Sequence, residues 1–440
     1  MKVIAAAAFL AMVALILTVF TGDAVTARPL GEDPADYANV SWILICSILV
    51  FIMSPGVALF YGGMLRKQSM TSIIAQTLLA MGIMSISWIV VGYSLAFSDG
   101  NMFIGGLDHL FLNGVSADTI GSYPIPDMEF MFFQMMFAMI TAGIVLGACA
   151  ERIKYTAIVW FLAIWSVLVY APMAHMVWGG GFLAEGLPFD MTTIDFAGGT
   201  VVHICAASTG LALAFFLGRR SKRIITDRAH SIPMVFIGFL LLWFGWLGFN
   251  GGSGLASDGI AVNAMVCTQI AMAMAMASWA IIQYIHTGRV GVLGMIAGGV
   301  AGLVAITPGA GYVNPTYAMI IGLIGGAICY GGVIFMRKKS GMDDALDVFG
   351  VHGLGGIWGG IATGIFAIPE MSGGKAGLIF GSTDLFVGQI VASFATLAFC
   401  FAMSYAIIWI ISKVTQVRME EDEEVIGADI AEHGEPSYVI

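Results

Sequence analysis

Asp195-Phe-Ala-Gly-Gly-Thr-Val-Val-His203 and Asp344-Ala-Leu-Asp-Val-Phe-Gly-Val-His352 set an acidic residue eight positions before a histidine at two distant places in the chain, each inside or at the mouth of an apolar run. A charged Asp at the centre of a membrane helix costs about 2.5–3.5 kcal/mol on insertion scales, so polar groups placed there mark a transport path. The recurrence of the motif also implies that the chain repeats itself.

The 440 residues are 59% hydrophobic and 10% charged, with 57 glycines. Apolar runs of about 20 residues suit helices that cross a hydrocarbon core, and they are too long and uniform for barrel strands. The runs predict an all-α polytopic membrane protein with eleven helices, near 40–64, 69–97, 128–149, 155–178, 197–217, 232–251, 259–285, 290–307, 317–336, 348–367 and 386–413. Arg66, Lys67, Arg152, Lys154, Arg219, Arg220, Arg289, Arg337, Lys413 and Arg418 fall on alternate sides of successive helices, and Lys375 alone breaks the pattern. The positive-inside rule then places the start of the first helix outside and the residues after Lys413 in the cytoplasm.

Five helices end in the first motif and five more in the second. An odd number reverses the polarity of the second copy, which predicts two inverted five-helix repeats plus an eleventh helix, with the substrate path at the repeat interface. His203 and His352 then each lie about 10–12 Å in from opposite surfaces, at a rise of 1.5 Å per residue. Glycines such as Gly298, Gly302, Gly322 and Gly326 read as close packing between helices.

Three segments follow: 1–27, 28–414 and 415–440. Lys2, the apolar stretch from Val3 to Phe20 and the Val25-Thr26-Ala27 end resemble a secretory signal, with an uncleaved extra helix as the other reading. Residues 28–414 form the membrane domain. The tail carries the acidic run Glu420–Glu424, which disfavours a polybasic lipid anchor and suits a solvated tail or a protein-docking segment. The six cysteines lie in apolar spans without paired spacing, and no HExxH occurs, so neither a disulfide framework nor a metal centre is expected.

Burial disfavours an imidazolium, so the two histidines read as neutral rings that share one hydrogen bond and offer their remaining nitrogens to something small and polar. Asp195 has two readings, a cap on backbone N–H groups or a counter-charge at the outer entrance. For Asp344, among Asp343 and Asp347, capping is the stronger. Aromatic side chains in Phe132-Phe-Gln-Met-Met-Phe137, Trp243-Phe-Gly-Trp-Leu-Gly-Phe-Asn250 and Met176-Val-Trp178 are lipid-facing, core, or a cage for a small ammonium-type cation.

Phe60-Tyr-Gly-Gly-Met64, Phe133-Gln-Met-Met-Phe-Ala-Met-Ile-Thr141, Gly147-Ala-Cys-Ala-Glu-Arg152, Ala174-His-Met-Val-Trp-Gly-Gly-Gly181, Gly245-Trp-Leu-Gly-Phe-Asn250 and the two Asp/His stretches occur in an order that resembles the ammonium transporter family (Amt/MEP, with the Rh proteins as relatives), from about residue 40 to the end. The resemblance implies a homotrimer in the cell membrane, each subunit with its own pore, that takes up ammonium as a nitrogen source and accepts methylammonium as an analogue. It assigns Trp178, Phe137 and Ser253 to an outer recruitment site with Asp195 beneath it, Phe137 and Phe249 to a phenyl gate, and His203 and His352 to a twin-histidine pair. No cofactor and no nucleic acid are implied, and the protein is not an enzyme. The tail is similar to one that in prokaryotic members meets a PII-type (GlnK-like) regulator. An ammonium sensor acting through this tail is the alternative.

Overall fold

In the computed structural model, residues 28–224 and 229–438 are described. The signal or extra helix expected over 1–27 falls outside them. Eleven apolar helices follow one another: α1 (Ala35–Met64), α2 (Lys67–Phe97), α3 (Asp127–Cys149), α4 (Tyr155–Trp178), α5 (Gly199–Leu217), α6 (Ile232–Gly254), α7 (Gly259–Thr287), α8 (Val292–Ile306), α9 (Pro315–Lys338), α10 (Phe349–Gly353 continuing as Leu354–Phe366) and α11 (Asp384–Ile411). Among the described residues nine are long and apolar enough to cross a membrane; α8 and α10 are shorter. The helices follow the expected spans closely. The largest departure is α1, which starts at Ala35 rather than at 40, because Arg28 grips Asp36 of its first turn through two bonds of 2.6 and 2.5 Å.

The contacts between the halves are reciprocal, as inverted repeats require. α1 lies along α6, its counterpart, and the approach is close enough that a Cβ on Gly238 would sit 2.3 Å from the Phe60 nitrogen. The segment entering α5 packs on the end of α8, with Phe196 N donating to Pro308 O at 3.1 Å. Its equivalent entering α10 packs on the end of α3, where Arg152 donates to the Asp343 carbonyl. Small residues also serve packing between α7 and α9, since a Cβ on Gly322 would lie 2.3 Å from Ala271 O.

Of the acidic run, Glu420, Glu421 and Asp422 stay exposed, whereas Glu424 and the chain before it are docked on the rest of the protein. Lys154 N donates to Val417 O at 2.8 Å and Met419 N to Arg152 O at 2.9 Å, so the chain after α11 pairs with the connection between α3 and α4. Glu424 is fully buried, paired with Arg418 at 2.7 Å and accepting from Ser221 N at 2.8 Å. Lys154 holds Glu423 at 2.7 Å and Glu432 at 3.0 Å. Groups on the α3–α4 and α5–α6 connections and on the tail itself thus satisfy the run, and Glu421 and Asp422 alone of Glu420–Glu424 remain both exposed and outside its own capping box.

Beneath the tail sits Glu151, a non-glycine residue with φ of 67°. It accepts from Arg66 Nε at 2.9 Å, Arg220 Nη1 at 2.8 Å and Ser69 Oγ at 3.1 Å. Burial alone would raise this carboxyl, but Arg66 and Arg220 outweigh it and hold Glu151 below the usual range. Arg66 also donates to Glu424 O at 2.7 Å, which joins the buried cluster to the tail.

Candidate functional site

The site runs along the repeat interface from the face opposite the tail. Trp178 ends α4, and its indole N–H donates to Asp195 O at 2.8 Å. Phe137, fully inside α3, meets Trp178 edge-on at 6.0 Å and lies flat on Phe249 of α6 at 4.2 Å and 20°. Ser253, just beyond, donates its hydroxyl to Phe249 O at 2.8 Å, which leaves its oxygen lone pairs as acceptors. All four aromatic and hydroxyl groups assigned by resemblance therefore cluster. Both phenyl rings are buried, at 1% and 0% exposure.

Asp195 turns its carboxylate away from that mouth. One oxygen accepts from Gly198 N at 2.8 Å and Gly199 N at 2.7 Å; the other accepts from Thr200 N at 2.7 Å and from the Thr200 hydroxyl. The carboxylate thereby satisfies the orphan donors of the first turn of α5, the capping member of its two readings. Gly198, at φ of 105°, supplies the left-handed backbone that brings these donors together.

Both histidines sit on π-helical turns, Gly199–Ile204 and Phe349–Gly353, that open α5 and α10. In such a turn His203 N bonds Gly198 O, five residues back, at 3.0 Å. The wider turn carries the ring toward the opposing repeat, and π-turns recur at functional sites. The rings approach with Nδ1 of His352 3.2 Å from Nδ1 of His203. That contact is a hydrogen bond only if one ring donates and the other accepts, which excludes two protons between them.

Around the pair lies an apolar cavity lined by Val57, Ile140, Ile144, Leu242, Trp246 and Phe249 among others. Its volume of about 20 Å³ holds one water-sized molecule, which needs roughly 10–15 Å³. Both histidines line it, and Nε2 of His203 is buried without a hydrogen-bond partner. His352 also lines a second, wider vestibule of about 860 Å³ on the tail side, with Tyr61, Asp344 and Arg337. The pair thus lines a narrow apolar cavity, and His352 borders the broad vestibule as well.

Trp246 was not singled out by sequence as part of the path. It stacks on His203 at 5.2 Å and 15°, and its Nε1 donates to Thr307 at 2.9 Å. The signal was present in Trp243-Phe-Gly-Trp246, but two tryptophans three apart carry no mark of which one faces inward. Among the described residues no group of three His, Cys, Asp or Glu could hold a metal ion.

A family model described as the Ammonium Transporter Family matches residues 41–438. The ammonium transporter of Bacillus subtilis (strain 168) is 46% identical over 400 residues, covering 90% of this chain and 97% of the relative. Ammonium transporter Amt1 of Archaeoglobus fulgidus is 42% identical over 402 residues, covering 91% and 99%. Among solved structures, Candida albicans Mep2 superposes with a TM-score of 0.80 at 31% identity, covering 92% of each chain. A structure titled as a sensor Amt protein gives 0.83 at 29% identity, covering 90% of this chain and 98% of that one. With this coverage, and with an apolar helical pore and a His203–His352 pair at its centre, the chain belongs to the ammonium transporter family.

Proposed function

We propose that ammonium is recruited among Trp178, Phe137 and Ser253, loses its proton on passing the Phe137–Phe249 stack, and crosses the apolar cavity as ammonia beside His203 and His352. One observation carries this reading: both histidines line a cavity for a single small molecule together with Phe249, which stacks on Phe137, and His203 Nε2 is buried without a hydrogen-bond partner. An unpaired charge in such a cavity costs several kcal/mol even after relaxation, on the order of what separates ammonium from ammonia there. The face of Trp178 and the Ser253 lone pairs suit a cation that donates hydrogen bonds, at about 0.5–2 kcal/mol per aromatic face. Asp195 acts from beneath, holding Trp178 through its carbonyl and the α5 turn through its carboxylate. The proton travels separately along the histidine pair, so transport carries current.

The tail face is the cytoplasmic one, by the placement of basic residues, and the subunits form a homotrimer. The docked tail offers its exposed Glu421 and Asp422 to a PII-type regulator. A sensor reading draws on the likeness to the sensor Amt structure, with the tail as the route of the signal.

Ammonium-evoked current on a solid-supported membrane tests transport. Wild type should give current, and His203→Ala, His352→Ala and the double variant should lose most of it. Equal currents in all four would sink the histidine mechanism.

A further inference from the structure

Asp195 and Asp344 occupy equivalent places in the two repeats, yet their carboxylates differ in what satisfies them. Both oxygens of Asp195 are taken by the first turn of α5. Asp344 copies only half of this. Its Oδ2 accepts from Phe349 N at 2.7 Å, while Oδ1 is buried without a hydrogen-bond partner. The residue is 7% exposed and lines the vestibule that His352 also lines. A buried oxygen left bare costs about 1–3 kcal/mol, more if charged, unless water or a proton satisfies it. Capping alone does not account for a carboxylate in that condition.

We propose that Asp344 is the proton acceptor on the tail side of the histidine pair, taking at Oδ1, through vestibule water, the proton that leaves His352. The step balances without a co-reactant. The His352 imidazolium loses one N–H proton and keeps the electron pair, the Asp344 carboxylate becomes a carboxylic acid, and that acid passes the proton to water. There it rejoins ammonia leaving the pore, so one ammonium enters and one emerges. The inference rests on the reading that proton and ammonia part above the pair.

The surroundings suit a group that must load and unload. Asp347 faces Asp344 from its own connection, Arg152 and Cys149 from the end of α3, and Tyr61 from α1; Asp347 is itself gripped by Arg337 of α9. Burial first, and then Asp347, push the Asp344 carboxyl up to about 7, against the opposing pull of the Phe349 and Val348 amides and Arg152. A relay works best when its affinity for protons lies near ambient pH.

Full-length protein in liposomes tests this by ammonium-evoked current, with the pH on the tail side varied, for wild type, Asp344→Asn and Asp344→Glu. Asp344→Asn keeps an acceptor for Phe349 N but cannot titrate. Its current should fall by about tenfold or more, within the usual range for removing a proton-transfer group. Apparent ammonium affinity should stay unchanged, since the mouth is untouched. Wild-type current should decline as tail-side pH drops through neutrality, an inflection absent from the residual Asp344→Asn current. Asp344→Glu should recover most of the current with a displaced inflection, because its carboxyl meets Asp347 and Arg152 differently. Wild-type current and inflection in Asp344→Asn overturn the proposal. So does an unmoved inflection in Asp344→Glu, which decides the matter if Asp344→Asn does not fold. Absence of wild-type current removes the underlying reading and this proposal together, whereas silent histidine variants beside a normal Asp344→Asn remove this one alone.

Discussion

Trp178 and Asp195 meet through the backbone and not through charge: the indole N–H donates to the Asp195 carbonyl at 2.8 Å, while the carboxylate faces the other way into Gly198, Gly199 and Thr200. One residue therefore fixes both the mouth of the pore and the turn that carries His203. Asp195→Ala keeps the carbonyl that holds Trp178 and loses the cap on the turn that carries His203, at about 0.5–2 kcal/mol. Asp195→Asn, which keeps one oxygen acceptor, should retain more current than Asp195→Ala. Thermal unfolding and ammonium-evoked current, measured together, check the ranking; a fully active Asp195→Ala would refute it.

In the proposed recruitment site, Trp178 offers its face to a cation. Trp178→Leu should raise the half-saturating ammonium concentration by about 2- to 30-fold, from the ordinary 0.5–2 kcal/mol of one cation–ring contact. Maximal current should change less, because the cavity below is unaltered. A concentration series on both proteins separates the two quantities.

Trp246 supports His203 from behind. Trp246→Phe keeps a ring against the imidazole but loses the 2.9 Å bond to Thr307, an effect of about 1 kcal/mol. Trp246→Ala removes the ring altogether and should cost about 3–5 kcal/mol. Unfolding midpoints should fall in that order, with current following them.

Glu151 ties three connections together in its charged form. Its carboxyl lies below the usual range when folded, so its contribution to stability is complete above about pH 4.3, the unfolded value, and disappears as pH falls through the folded one. At pH 7 Glu151→Gln should be destabilised by about 3–5 kcal/mol, the usual result of breaking a buried ion pair. In strong acid the gap between the two proteins should close. A gap that stays constant across that range contradicts the assignment.

Lys154 links the tail to the start of α4 through Glu423 and Glu432. Lys154→Ala should expose the segment from about residue 420 onward and quicken its cleavage by protease. The membrane helices should be cut no faster than before.

Helix number and limits were legible because apolar runs are bounded by charges. Phe137 and Phe249, which the resemblance assigns to a gate, stack, and His203 meets His352. The state of Asp195 was not legible, as a cap and a counter-charge share one sequence signature and differ only in where the oxygens point. Nor was the docking of Glu424, whose partner Ser221 lies 203 residues away. The π-turns under both histidines leave no trace in composition, since they alter the spacing of backbone bonds and not the choice of side chains.

The single bond between His203 and His352 gives the pair a polarity. With one hydrogen for two facing nitrogens, one outer edge of the pair is a donor and the other an acceptor. A proton entering at the accepting edge and leaving from the other reverses that bond, and the rings then point their tautomers the opposite way. Before a second proton can follow in the same direction, the order must be restored. On the proposed proton path, resetting that bond is a step of every cycle, and widening the pore leaves it in place.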